Sequence, residues 1–151
     1  MIVTFCGHAN FVGGAEDFEN VFALLEEKAK GGDITFYLGG YGSFDRFGLS
    51  LALSYKRKHA KTKIIFVTPY ISEGYISQHY DKYVYDDIIY PPLENVPYKF
   101  AISKRNEWMA AEADFIVSYV KYRYGGANAM LTFAKRKGKE VFNLAEVSKN
   151  C

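Results

Sequence analysis

Residues 36–48 read FYLGGYGSFDRFG, an apolar run that breaks into Gly39, Gly40 and Gly42 and resumes as a helix-like pattern. Glycine tolerates positive φ and lets a ligand approach the main chain, while a following helix offers unpaired N–H groups and a partial positive charge. An anion such as phosphate suits that place. Ser43 stands where a helix N-cap is expected, Asp45 falls in the first turn, and Arg46 beside it has the fork that grips a phosphate. The plainer reading is a tight strand-to-helix turn with Asp45 serving the helix end, since the spacing is neither GxGxxG nor a P-loop. A second pair, Gly125-Gly126, opens another helix-like stretch with Lys121 and Arg123 just ahead of it. Two such starts on one rim predict a ligand with a phosphate and something more.

Other residues carry weaker chemistry. Arg105 and Asn106 sit in a helix-like stretch, where the bland account of an arginine is a solvated charge. His8 follows Gly7 after the first strand and suits either ligand contact and acid/base work or a turn hydrogen-bonded to backbone. Tyr70 follows Pro69 at a third strand end, where an aromatic face can stack on a base. Asp45 and Glu107 are the weak candidates for a catalytic carboxylate, against a structural or solvated role. His59 and His79 have no metal-like spacing, so no metal and no cofactor is expected. Cys6 reads as a small core residue.

These residues must be held by elements, and the elements alternate. Ile2 to Cys6, Ile34 to Leu38, Lys63 to Val67, Asp114 to Val120 and Glu140 to Leu144 read as strands. Glu16 to Lys30, Phe44 to Ala60, Lys99 to Ala113 and Gly126 to Lys137 read as helices, several stopped by glycine. Pro69 to Pro97 is irregular and tyrosine-rich, with Asp87 to Tyr90 its only strand-like piece. Helices between strands imply parallel pairing, hence a three-layer α/β Rossmann-like sheet of about five strands with helices on both faces. Ligands of such sheets bind beyond the strand carboxyl ends, where the four turns described above gather. Most of the tyrosines from Tyr70 to Tyr90 are read as a homo-oligomer interface, with Tyr70 the exception.

Composition sets the outer limits. A chain of 151 residues with 49% hydrophobic content fits one domain, residues 1–151. Nineteen basic residues against seventeen acidic ones give +2, a balance that disfavours nucleic acid or a membrane as main partner. The cysteines Cys6 and Cys151, one inside an apolar run and one terminal, argue against a disulfide framework and for a reducing compartment. With no long apolar run and no signal-like start, the expected location is cytoplasmic.

The runs GGYGSFDRFGLSLA (39–52) and KRNEWMAAEADFIVSYVKYRYGGANAMLTFAKRKGKEVFNL (104–144) resemble the two glycine elements of the SLOG superfamily of Rossmann-like proteins. Small bacterial and phage SLOG proteins are the nearer likeness; DNA-processing protein A and the LOG phosphoribohydrolases are more distant. The resemblance implies a pocket for a nucleotide-derived ligand, with Gly39, Gly40, Gly42, Ser43 and Asp45 in the first loop. Arg105 and Asn106 match the family's RN pair, and Gly125 and Gly126 its second loop. In LOG-type hydrolases that loop runs GGxGTxxE; here it is YRYGGANAMLTF, without the threonine and the glutamate. The expected function is therefore binding of a phosphorylated nucleotide or nucleotide-derived small molecule, as sensor or sequestering protein. Cleavage or transfer of an N-glycosidic bond is the alternative. The expected binding residues are Gly7, His8, Gly39, Gly40, Gly42, Ser43, Asp45, Arg46, Tyr70, Arg105, Asn106, Gly125 and Gly126.

Overall fold

The computed structural model describes residues 1–149, with side chains described through 146; Cys151 lies outside them. Six strands form one sheet in the order β4-β3-β2-β1-β5-β6, every adjacent pair parallel. They are β1 (Ile2–Gly7), β2 (Thr35–Leu38), β3 (Lys63–Val67), β4 (Asp87–Ile89), β5 (Phe115–Tyr119) and β6 (Glu140–Asn143). The helices are α1 (Ala15–Lys28), α2 (Gly42–Lys58), α3 (Glu73–His79), α4 (Ala101–Glu112), α5 (Gly126–Arg136) and α6 (Leu144–Lys149), with a 3-10 turn at Tyr98–Phe100 before α4.

β1 lies inside the sheet between β2 and β5, and the mostly apolar runs of β1 and β5, with buried Thr4 and Ser118, reflect burial on both faces. One face is covered by α1 and α2: Val21 and Leu25 meet Phe44, Leu51 and Tyr55 over Phe5, Phe36 and Phe66. The other is covered by α4 and α5, where Met109 and Ala110 meet Met130, Leu131 and Ala134 over Cys6 and Ile116. This is the expected three-layer architecture, with the short β4 as the sixth strand. Winding runs outward from β1 through β2, β3 and β4, then returns to place β5 on the other side of β1. The reversal between β1 and β5 is where such sheets leave a crevice beyond the strand ends.

The tyrosine-rich segment departs from its sequence reading. Residues 73–79 form α3, and Tyr85 is only 7% exposed. Its ring packs on Phe66 and stacks with Tyr80, so these two tyrosines complete the core beside β3, while Tyr83 stays exposed. Asp86 fixes β4 in place by accepting a hydrogen bond from the Ile64 amide and pairing with Lys56. Trp108 stacks on Tyr37 and ties α4 to the sheet.

Candidate functional site

The rim holds a cleft of about 280 Å³ at the β1/β5 reversal. Gly7, His8 and Ala9 after β1 form one wall, Tyr41 and Asp45 at the start of α2 another, Arg105 and Asn106 of α4 a third, and Gly126 and Ala127 of α5 the fourth. Phe5, Cys6, Ile102, Met109 and Met130 give it apolar flanks. A second hollow of about 260 Å³ adjoins it, sharing Ile102, Asn106, Gly126 and Met130 and reaching Lys99, Ser103 and Glu107. Six of the residues expected from sequence thus converge: Gly7, His8, Asp45, Arg105, Asn106 and Gly126.

The first glycine loop stands behind this cleft and serves packing. A Cβ on Gly39 would lie 3.0 Å from Arg105 Cζ, so the missing side chain is what lets the guanidinium lie against the strand end. Gly40 has φ +72 and abuts the Phe66 ring, and Gly42 has φ +86 with its Cβ position 2.9 Å from Ala9 Cα. The β1–α1 connection therefore lies directly on the start of α2. It also takes up one amide there, Ser43 N donating to Ala9 O at 3.1 Å, while Asp45 of α2 itself receives Tyr41 N at 2.8 Å.

Ser43 is not the N-cap, contrary to the sequence reading. Tyr41 holds that position, and the Ser43 hydroxyl donates to Ala9 O at 2.6 Å. This helix start therefore offers an anion fewer free donors than the sequence suggests, since its Tyr41 amide faces a carboxylate and its Ser43 amide a carbonyl oxygen of the chain itself. Ser43 and Arg46 turn instead to a separate open groove beside Phe11, Phe18 and Phe47.

The start of α5 is different. Gly125 takes φ +91 as N-cap, and among the described residues no protein acceptor meets the amides of Gly126, Ala127 or Asn128. Gly126 has open space where a side chain would stand. These amides, with the helix dipole behind them, make the free donor set of the cleft.

Opposite lies Arg105, 2% exposed. Its Nη1 donates to Val67 O at 2.8 Å and to Gly39 O at 3.2 Å, and its Nε donates to Asn106 Oδ1 at 2.9 Å. The guanidinium thus ties together the carboxyl ends of β2 and β3, and none of these acceptors is a carboxylate. Burial pulls its pKa below the ordinary arginine value, while Asp45 and the Tyr75 hydroxyl oppose that pull. With Oδ1 engaged, Asn106 is left to offer its amide hydrogens.

Asp45 is the acid of the cleft. Burial raises its carboxyl to about 6, against the lowering effects of the Tyr41 amide and Arg105. It is half-protonated at about pH 6 and mostly ionised at pH 7, where it accepts from a ligand hydroxyl or amine. His8 is committed elsewhere: its Nε2 accepts from Lys121 N at 3.0 Å and from Tyr122 N at 3.4 Å. Glu107 pairs with Lys104 at 3.1 Å and borders only the adjoining hollow. Tyr70 stacks on Tyr98 and lines a different depression with Leu93 and Val96.

Sequence reasoning passed over Tyr41, Ile102, Met109 and Met130 as cleft residues. One signal was present: positions 102, 105, 106 and 109 share a face of α4 at helical spacing, so the arginine and asparagine come with apolar neighbours on either side.

No family model matches the chain, and no curated protein matches it at a significant level. Solved structures do. DNA processing protein A from Streptococcus pneumoniae superposes with a TM-score of 0.64 at 18% identity, over 93% of this chain and 49% of that one. The same protein from Helicobacter pylori gives 0.63 at 17% identity, over 95% of this chain and 64% of that one. The molybdenum cofactor carrier protein from Chlamydomonas reinhardtii gives 0.57 at 16% identity, over 99% of this chain and 81% of that one. At such identities the shared property is the fold: this is a Rossmann-like α/β protein, in agreement with the SLOG resemblance of its two motifs. The chain spans from half to just under two thirds of the two DNA processing proteins.

The Helicobacter protein is described for its single-stranded DNA binding mode. That finding overturns the expectation that disfavoured nucleic acid as a partner class. The expectation rested on a total of +2, and a total does not record how cations and rings are distributed over one rim. Among the described residues no helix is long and apolar enough to cross a membrane.

Proposed function

We propose that the chain binds a phosphorylated nucleotide-type small molecule in the cleft at the β1/β5 reversal. The observation that carries this reading is the free amide set of α5 facing the buried Arg105 across a cavity with apolar flanks. Phosphate sits at Gly126 to Asn128, where backbone donors and helix dipole favour negative charge. Asp45 and Asn106 present an acceptor and a donor that suit ribose hydroxyls or a base edge, and Met109, Met130 and Ile102 supply apolar surface for a ring. Because the two hollows share Gly126, a phosphate there leaves room for a group on either side.

The test is thermal-shift and calorimetric titration with adenosine and guanosine monophosphates, ADP-ribose and inorganic phosphate, followed by chromatography for released base. A ligand at 100 times its Kd raises stability by about 2.7 kcal/mol. Stabilisation without turnover supports a binding protein, and free base appearing in proportion to enzyme supports the N-glycosidic alternative. No stabilisation by any phosphate compound overturns the reading.

One observation favours a second reading. Tyr41, Tyr98, Phe100 and Tyr124 are exposed, Lys99 lies over Phe100, and Lys121 lies over Tyr122. Rings alternating with cations are the composition of single-strand binding surfaces, where stacking contributes roughly 1 to 3 kcal/mol per base. Fluorescence anisotropy with labelled oligothymidylate at two salt concentrations tests it, a single-strand site losing affinity with a log-log slope of about −0.7 per phosphate contacted.

A further inference from the structure

The amides of α5 are useful to a ligand only if the connection that delivers them, residues 120–125, holds one shape. That connection leaves β5 at the rim, where the Val120 amide donates to Asn143 Oδ1, and its next two amides, those of Lys121 and Tyr122, are received by a single atom, His8 Nε2. An atom that accepts two N–H bonds carries no hydrogen, so the ring is the neutral Nδ1–H tautomer. The ring is also wedged in place. It meets Tyr122 at 4.7 Å between centroids and Tyr119 edge-on at 6.0 Å, while the His8 amide donates to Tyr119 O at 3.2 Å.

We propose that His8 is a positioning residue for the ligand site: its neutral ring latches the connection ahead of α5 in the conformation that aims the Gly126 to Asn128 amides into the cleft, and protonation of that ring releases the latch. This rests on the reading of the cleft as an anion site and adds its control. A protonated Nε2 would turn from acceptor to donor and point a hydrogen at two N–H groups. The charged groups facing it reinforce the direction of the switch. Lys121 stands on the latched segment itself with Arg123 close behind; Arg105 is on α4, and Asp45 on α2 is the one acid among the described residues lining the cleft, with Glu107 at the adjoining hollow. Burial and the Lys121 ammonium hold the imidazole below the ordinary histidine value of 6.5, so the latch is closed at neutral pH and opens on acidification.

The test measures hydrogen exchange of the Lys121 and Tyr122 amides in the ligand-free full chain, in the wild type and in His8→Ala and His8→Gln. Glutamine places a non-titrating carbonyl oxygen where Nε2 stands. In the wild type, protection of both amides falls at least about tenfold between about pH 7.5 and about pH 5. His8→Ala lacks that protection at both pH values; His8→Gln keeps it at both. Full protection in His8→Ala, or a pH-dependent loss surviving in His8→Gln, overturns the proposal. Should His8→Ala fail to fold, the comparison of wild type with His8→Gln decides alone.

Adenosine monophosphate is the ligand probe. Its Kd at about pH 7.5 rises about tenfold in His8→Ala and by less than about twofold in His8→Gln. Asp45, titrating near 6, acts in the opposite sense, since its protonation favours an anion; the glutamine variant therefore binds the nucleotide more tightly at acid pH while the wild type does not. If the nucleotide binds no variant at any pH, the reading of the cleft fails while the exchange experiment still judges the latch.

Discussion

Asp45 shows how a single group can work against folding and for a site. Its carboxyl titrates at about 6 in the folded chain against an ordinary 3.8, so between those values the native state holds a proton that the unfolded state has lost. Stability contributed by this group is present below 3.8 and is lost as pH rises through 6. At pH 7 the ionised form costs on the order of 1 to 3 kcal/mol, the lower end reflecting its partial contact with solvent in the cleft. Asp45→Asn keeps an oxygen for the Tyr41 amide and removes the charge. Its melting temperature is expected to exceed the wild type's at about pH 7.5 and to match it at about pH 4, as read by calorimetry. Equal melting temperatures at both pH values would refute this account.

Arg105 is the opposite case. It holds Gly39 O and Val67 O together, so Arg105→Ala leaves buried carbonyls without donors and a void beside Gly39. Denaturant titration should show a loss of roughly 3 kcal/mol or more.

Two helix starts with similar sequences do different things because of what lies on them. At α2 the β1–α1 connection takes up the Ser43 amide, and Gly42 with φ +86 has Ala9 Cα in the place of a side chain. At α5, among the described residues, no protein acceptor meets the amides of Gly126, Ala127 or Asn128. Gly42→Ala should therefore cost about 1 to 3 kcal/mol of stability through strain and overlap. Gly126→Ala should leave stability unchanged or raise it by up to about 1 kcal/mol, since alanine is the better helix former. Gly126 lines the cleft, so a methyl there crowds the anion and adenosine monophosphate should bind about tenfold more weakly. Melting curves and titration calorimetry on the two variants separate a packing glycine from a ligand glycine.

Across the whole molecule, order is expected to be graded from the centre of the sheet outward. β1 and β5 are buried on both faces, whereas β4 has three residues, none of them buried, and α3 has no buried residue. Segment 73–89 should lose exchange protection at lower denaturant than β1, β2 and β5, in a step below the global transition. A single transition for all amides would show that Asp86 and Tyr85 couple this edge to the core more tightly than its burial suggests.

The sequence by itself determined the alternation of strands and helices, and with it a parallel three-layer sheet. Hydrophobic period and glycine stops are local properties, and the crossover rule does the rest. Its placing of Arg105, Asn106, Gly126, Asp45 and His8 near one rim also follows from that order, because all stand at strand ends or in the elements beside them. What local pattern cannot encode is which neighbour occupies a backbone amide or covers a side chain. Only the tertiary structure decided that Gly39, Gly40 and Gly42 make room for Arg105, Phe66 and Ala9, that Ser43 caps nothing, and that His8 serves two amides 113 and 114 residues away. Net charge failed for a related reason: it sums over the surface, while recognition depends on the few rings and cations that folding sets side by side.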